Sequence, residues 1–191
     1  MSIVITGNPG VGKHTITKQI AKNLKLNIID INQIAKDEKL FEKNEYTNDV
    51  DTTKLKKILK GRISEKNVIV GHLAPYVLDK NKVKVIIVLR RNPYDLISIY
   101  KKRKYTDKKI IENTGSEVLG IIVYDVINKF QEKTFQINAT KKSIQETVDK
   151  VMKIILENEG NEEVDWLRLV TENNDLKKFF VDWLNNTFDF I

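Results

Sequence analysis

The chain has 191 residues, 41% hydrophobic and 31% charged, with a formal net charge of +7. This length supports one well-buried domain, and the composition excludes a fibrous or low-complexity chain. The absence of cysteine excludes disulfides and thiolate metal sites. No apolar run reaches membrane-spanning length, and the N-terminus enters a strand with no signal-peptide pattern, so a cytoplasmic, reducing setting is expected.

Apolar β-branched runs alternate with helical patterns, which predicts an α/β fold around a parallel sheet. The first strand is expected over 2–6. It runs into Gly7-Asn8-Pro9-Gly10-Val11-Gly12-Lys13-His14-Thr15, the G-x-x-x-x-G-K framework of a phosphate-binding loop. A helix over 14–24 follows, with Ile16, Ile20, Ala21 and Leu24 at helical spacing. Glycines let the loop turn its N–H groups onto a polyphosphate, the helix offers its positive end, and Lys13 supplies a mobile ammonium. The hydroxyl that normally follows the lysine and binds Mg²⁺ is replaced by His14, with Thr15 one place later. Thr15 is therefore the candidate hydroxyl, and His14 either touches phosphate or partly substitutes for it.

A second strand, 27–30, ends at Asp30-Ile31-Asn32. Ligands of open parallel sheets sit beyond the carboxyl ends of the strands, which brings Asp30 near the phosphate loop. There it either helps to hold hydrated Mg²⁺ or faces the acceptor, or it simply caps the next helix. Helices are predicted over 31–42 and 52–63, the latter capped by Asp51 or Thr52. The third strand, 67–70, runs into Gly71-His72, and Val70 stands where many phosphate-loop enzymes carry a Mg²⁺-binding aspartate. His14 and His72 are the only histidines, and both fall on strand-end loops around one pocket. His72 reads either as a water-orienting or acid/base group or as a structural loop residue.

The fourth strand, 83–89, ends at Arg90-Arg91, and Asn92-Pro93 is a good helix start. That helix leads to Lys101-Lys102-Arg103-Lys104, with Lys108 and Lys109 beyond. Guanidinium groups assist phosphoryl transfer through planar paired contacts with oxygens, which makes Arg103 the first candidate and Arg90 the second. A surface salt bridge is the plainer alternative for each. A long amphipathic helix is predicted over about 114–131, then a strand over about 134–138 and a helix beginning at Thr140. From Glu157 to Ile191 nine acids face three bases, a balance of −6 that leaves +13 for the preceding part. The basic body is either ordinary lysine solvation or an attraction to nucleotide phosphates or RNA. In the acidic tail Leu176, Phe179, Phe180, Trp183 and Leu184 keep helical spacing. They form either a docked helix or a helix that meets a basic partner.

The order of these pieces resembles the adenylate kinase isoenzyme 6 family, the CINAP-like archaeal and nuclear adenylate kinases. The likeness rests on the phosphate loop, Ile28 to Ala35, Val68 to His72, Val85 to Arg90, Lys102 to Tyr105 with Lys108 to Ile110, and Glu112-Asn113 with Glu117-Val118. It covers roughly residues 1–156 and leaves 157–191 as an acidic helical extension. The resemblance implies a P-loop NTPase fold of the nucleoside monophosphate kinase type: a five-stranded parallel sheet with helices on both faces. It also implies an acceptor-binding arm at about 30–52 and a lid at about 102–112.

The same resemblance implies phosphoryl transfer from MgATP to AMP with some ATPase activity. It implies a role in small ribosomal subunit maturation, through a basic small-subunit ribosomal protein and pre-ribosomal RNA. Lys13, His72 and Arg103 would then be catalytic, and Gly7 through Thr15 together with Arg103 would hold ATP. Asp30, Asn32, Gln33 and Arg90 would face the acceptor, and Thr15 and Asp30 the metal. Three departures bear on the metal: His14 stands where this family usually has threonine, Val70 where it often has an acid, and Gln33 where it often has aspartate. These departures and the acidic tail also suit a nucleotide-switched ribosome assembly factor with weak catalysis. A kinase of another small metabolite is the third reading.

Overall fold

The computed structural model describes residues 1–43 and 48–180. Strand β1 (Ser2–Thr6) leads through the phosphate loop into α1 (Lys13–Leu24), β2 (Asn27–Asp30) and α2 (Ile31–Asp37). A short antiparallel hairpin, β3 (Phe41–Lys43) and β4 (Asn48–Val50), precedes α3 (Thr52–Lys60), β5 (Asn67–Val70) and α4 (Ala74–Val77). Then come β6 (Val83–Arg90), α5 (Pro93–Lys102), α6 (Asp107–Leu119), α7 (Ile121–Phe130) and β7 (Thr134–Asn138). Helices α8 (Ile144–Glu157) and α9 (Trp166–Glu172), and a further helical stretch at 176–180, follow.

The five longer strands form one parallel sheet in the order β2-β5-β1-β6-β7, as the alternating pattern requires. Side chains alternate across the strands and so divide the core in two. Ile3 and Ile5 of β1, Val68 of β5, and Val85, Ile87 and Leu89 of β6 pack under α1, α5 and α8. Val4, Ile69, Ile86 and Val88 pack on the other face under α2, α3, α4 and α7. Burial on both faces is why these strands read as unbroken apolar runs. The order switches direction at β1, so the carboxyl end of β1 opens the crevice where ligands of such sheets bind.

Several element boundaries differ from the sequence expectations. The helix expected over 31–42 stops at Asp37, because Lys39 takes a left-handed conformation (φ 52°) and turns buried Leu40 into the core. Residues 41–43 then become strand. The helix expected over 114–131 is two helices joined at Gly120, whose left-handed backbone (φ 64°) ends α6 and redirects α7. The helix expected from Thr140 begins at Ile144, where Ser143 and Glu146 form a reciprocal capping box. Trp183 and Leu184, and part of the 30–52 arm, lie outside the described residues.

The start of the acidic extension is held to the domain. Glu162 N–H donates to Gln136 O (3.0 Å), Gln136 N–H donates to Asn161 Oδ1 (2.8 Å), and Asn138 N–H donates to Glu162 Oε2 (2.7 Å), all along β7. The Glu162 carboxylate also accepts from Lys142 (2.9 Å) and from Lys150. Farther on, Phe179 is buried with Val118 and Val170 and meets the Tyr94 ring edge-on at 5.3 Å. Part of the extension's acid surplus is thus consumed by the basic body. Among the described residues, no helix is long and apolar enough to cross a membrane.

Candidate active site

The phosphate loop leaves β1 at a point that admits only glycine. A Cβ on Gly7 (φ +133°) would lie 2.4 Å from the Leu89 carbonyl oxygen, so β1 and β6 can approach this closely only without one. Beyond it the loop is clamped from two sides. Tyr100 donates its hydroxyl to Pro9 O (2.5 Å), while Asn8 Nδ2 donates to Glu117 Oε2 (2.7 Å). Tyr100 lies on the buried stripe of α5 with Leu96 and stacks on Tyr105 at 5.3 Å, and Lys109 Nζ sits 4.6 Å above the Tyr105 ring.

Lys13 opens α1 and is only 4% exposed. Its ammonium donates to Asn8 O (3.1 Å) across the loop, the place a phosphate oxygen would take. Burial first, and then the Arg103 guanidinium, pull its pKa from 10.5 down to about 8, with Asp30 and Glu117 opposing. Among the described residues Lys13 makes no ion pair, and a buried cation in that state favours a neighbouring anion.

A cleft of about 990 Å³ opens in front of the loop. One wall is Pro9, Gly10, Gly12, Lys13, His14 and Thr15. Facing walls come from Asn32 and His72 at the ends of β2 and β5, from Phe41, Val50 and Thr52 around the β3–β4 hairpin, and from Arg103, Tyr105, Thr106, Lys108, Lys109, Glu112 and Asn113 around the α5–α6 turn. The structure therefore brings Lys13, His14, Thr15, Asn32, His72 and Arg103 to one cavity. Gly7, Asn8 and Val11 stand behind the wall and shape the loop.

Two expected site residues, Arg90 and Gln33, are placed differently, and Asp30 takes the capping alternative that the sequence offered. Arg90 is 3% exposed and does not reach the cleft; it pairs through Nε with Glu117 Oε1 (2.8 Å) and donates to Glu117 O (2.7 Å) and Gln136 Oε1 (3.1 Å). Its strand position turns the guanidinium into the domain, so it is a structural cation and not an acceptor ligand. Gln33 faces solvent on α2 and donates to Asp37 (2.7 Å). Asp30 caps α2 by accepting from the Asn32 and Gln33 N–H groups, and its Oδ2 lies 2.9 Å from His14 Nε2. Burial works to raise the Asp30 carboxyl, but the His14 and backbone hydrogen bonds outweigh it and hold the pKa below the ordinary value.

His72 and Asn32 act as a pair. The Asn32 amide donates to His72 Nδ1 (2.9 Å), which leaves Nε2 as the donor of a neutral ring. Burial, and then the nearby Lys13 charge, push the His72 pKa to about 4, so the ring stays neutral across the physiological range.

Few groups here fit a divalent cation. Asp30 has both oxygens engaged, Val70 offers none, and among the described residues no three His, Cys, Asp or Glu side chains gather into a cation site. This donor set does not fit a resident protein-caged cation, whereas an ion that arrives on phosphate oxygens with its own waters, as Mg²⁺ commonly does, needs few protein ligands.

Sequence reasoning missed Glu117, which is 1% exposed and accepts from Asn8, Arg90, the Arg91 N–H (3.0 Å) and Trp166 Nε1 (3.1 Å). The available signal was a carboxylate on the buried stripe of a helix, between Thr114 and Val118. Tyr100 was also missed, while Phe41 and Val50 fall within the expected 30–52 arm without having been singled out.

An AAA domain family model matches residues 3–120. The chain is 32% identical over 189 residues to a "Putative adenylate kinase" of Methanosarcina barkeri, covering 89% of this chain and 100% of that protein. It is 30% identical over 197 residues to a protein of the same name from Methanocaldococcus jannaschii, covering 100% and 97%. Solved structures with the same fold include shikimate kinase from Bacteroides thetaiotaomicron (TM-score 0.56, 19% identity, 81% and 98% coverage). Another is deoxyadenosine kinase from M. mycoides (TM-score 0.52, 19% identity, 82% and 100% coverage). These structures speak to the P-loop kinase fold alone, whereas the family model and the archaeal sequences show kinship: this chain belongs to the AAA domain family and is a relative of the archaeal proteins named "Putative adenylate kinase".

Proposed function

We propose that the chain is a nucleoside monophosphate kinase that moves the terminal phosphoryl group of MgATP to AMP and hydrolyses ATP slowly when no acceptor is bound. The observation that carries this reading is the buried, anion-seeking Lys13 facing Arg103 across one cleft that has a separate wall for a second substrate. A cleft of about 990 Å³ is at the upper end for small-ligand sites, which suits two ligands better than one. The relatives' name points the same way.

In this mechanism the protein contributes position and charge, because phosphoryl transfer asks for little covalent help. Lys13 gives up Asn8 O for the phosphate chain, and Arg103 approaches the transferring group from the α5–α6 turn, neutralising charge that spreads over its oxygens. The lid is this turn, 103–106, with the first residues of α6. The β3–β4 side of the cleft, with Phe41 and Thr52, receives AMP. His72 donates from Nε2 and orients the acceptor oxygen or a water; its low pKa argues against a general-base role. Mg²⁺, when bound with ATP, supplies further charge neutralisation, and Thr15 and Asp30 are the residues that would face it.

The test is conversion of ATP and AMP to ADP in the presence of Mg²⁺, followed by chromatography. Lys13→Met and Arg103→Ala should each reduce it by at least ~100-fold. A wild-type protein that makes no ADP from the pair and hydrolyses no ATP refutes the enzyme reading.

One observation favours a second reading, a nucleotide-switched ribosome assembly factor: Asp30, the proposed metal-facing acid, is held by His14 and α2, which leaves metal positioning weak. That reading requires nucleotide binding to change capture of a basic small-subunit ribosomal protein or pre-ribosomal RNA by the full chain, measured with ATP, with ADP and without either.

A further inference from the structure

Glu117 has no part in the chemistry above, yet it is the most heavily bonded buried side chain of the domain. Four elements converge on it: the phosphate loop through Asn8, the end of β6 through Arg90 and Arg91, its own helix α6, and the extension through Trp166. The loop end of this network is doubly tied, since Ser116 also donates to Asn8 Oδ1 (3.3 Å) and Asn8 O receives the Lys13 ammonium (3.1 Å). Every side chain on the path from Trp166 to Lys13 is less than a tenth exposed. In such a low-dielectric setting hydrogen bonds to a charged group are strong and loose ends are costly, so a change at one end is felt at the other.

Among the described residues, the extension brings one hydrogen-bonding side chain to this path, the Trp166 indole. Asp165 caps α9 by accepting from Arg168 N–H, which fixes Trp166 as the first residue of that helix and aims its indole N–H inward. Gly7 and the Tyr100–Pro9 contact fix the other side of the loop through rigid elements. The Asn8–Glu117 contact is thus the side of the loop whose partner is shared with the extension.

We propose that Glu117 is a positioning residue for the phosphate loop, and that Trp166 of the C-terminal extension holds it in that role, so that the extension sets the order and the phosphate affinity of the loop. This rests on the reading of the loop as the ATP site. Ligands or partners that withdraw the Trp166 indole from Glu117 would change nucleotide binding without touching the cleft, and nucleotide binding would change that contact in return.

Trp166→Phe in the full chain removes the indole donor and keeps an aromatic ring in its place. Val170→Ala, from the same helix and packed on Val118 but making no hydrogen bond to Glu117, is the control for general loosening. Amide hydrogen exchange of residues 7–13 in the nucleotide-free protein should quicken in Trp166→Phe and stay at the wild-type rate in Val170→Ala, even though the latter melts lower. The Kd for ATP should rise about 2- to 30-fold in Trp166→Phe alone. Unchanged loop exchange in Trp166→Phe, or the same change in Val170→Ala, overturns the proposal.

If Trp166→Phe does not fold, Asn8→Ala decides the question. It should shift the Trp166 indole N–H resonance, identified by hydrogen–nitrogen correlation in the full-length protein, and an unmoved resonance overturns the link. The exchange measurement needs no nucleotide. A wild-type chain that binds no ATP would therefore refute the kinase reading while the loop's dependence on Trp166 is still decided.

Discussion

Replacing Lys13 by methionine should make the nucleotide-free protein more stable while abolishing its binding of ATP. The ammonium is buried among groups that do not neutralise it, and its pKa falls from 10.5 to about 8. At neutral pH that fall corresponds to a penalty of about 3 kcal/mol on the folded state. Methionine fills similar space without the charge but gives up the hydrogen bond to Asn8 O, worth about 1 kcal/mol. The net gain is about 2 kcal/mol, or ~4–8 °C in Tm for a chain of this size. The pH dependence gives the argument its edge. Between about pH 8 and 10.5 the unfolded wild-type chain keeps a proton at this site that the folded chain has released. Wild-type stability therefore rises with pH across that window relative to the variant, and the advantage of Lys13→Met shrinks through zero, leaving wild type ahead by about 1 kcal/mol at its upper end. Paired thermal melts from pH 6 to 10.5 measure this difference, in which the titration of all other groups cancels. A variant no more stable than wild type at pH 7, or a difference that ignores pH, would refute the view that this lysine is held at a cost for the sake of a phosphate.

Glu117→Ala leaves the Arg90 guanidinium buried without its carboxylate and should cost about 3–5 kcal/mol in urea unfolding. Glu117→Gln, which keeps an acceptor oxygen, should fall between that variant and wild type. Gly7→Ala drives a methyl group to 2.4 Å from the Leu89 carbonyl and should cost about 1–3 kcal/mol while weakening ATP binding, as melts and calorimetry would register. For His72, a folded pKa of about 4 against 6.5 unfolded means that the unfolded chain protonates first. Its contribution to stability is therefore lost as pH falls from 6.5 through 4, and His72→Gln should flatten that part of the acid unfolding curve followed by circular dichroism. The same low value predicts that the pH profile of kcat between 5 and 8 carries no limb from His72.

The sheet and the phosphate loop were legible because their physics is local. Val68-Ile69-Val70 and Val85 to Leu89 are buried on both faces, so each strand announces itself as a continuous apolar run. The loop needs glycines and a lysine at fixed spacing whatever surrounds it. The β3–β4 hairpin was not legible, since each strand has three residues and the apolar positions Phe41 and Val50 sit among charges. Gly120 was ambiguous for a different reason: helical spacing continues on both sides of it, and only its left-handed backbone separates a helix end from a tolerated interior glycine. Arg90 misled because a basic residue at a strand's carboxyl end beside a phosphate loop suits a ligand equally well. The carboxylate that claims it is 27 residues away on another element. Glu117, His14 with Asp30, and Glu162 with its lysines all belong to this class, in which a charge finds its meaning only in a partner that tertiary structure supplies.

The three hydrogen bonds from Asn161 and Glu162 to β7 have a consequence for how this protein can be cut. The last strand of an open sheet presents unpaired N–H and C=O groups, and such rims recruit other chains into unwanted sheets. Here the stretch that begins the extension lies over that rim and, with Glu162, adds charge to it. A fragment ending near residue 156 would keep every residue of the cleft and still expose a bare margin to its neighbours. Insolubility of such a truncation would report the loss of this cover, not a defect in the nucleotide site, and a solubility screen of end points before and after 162 would find the boundary.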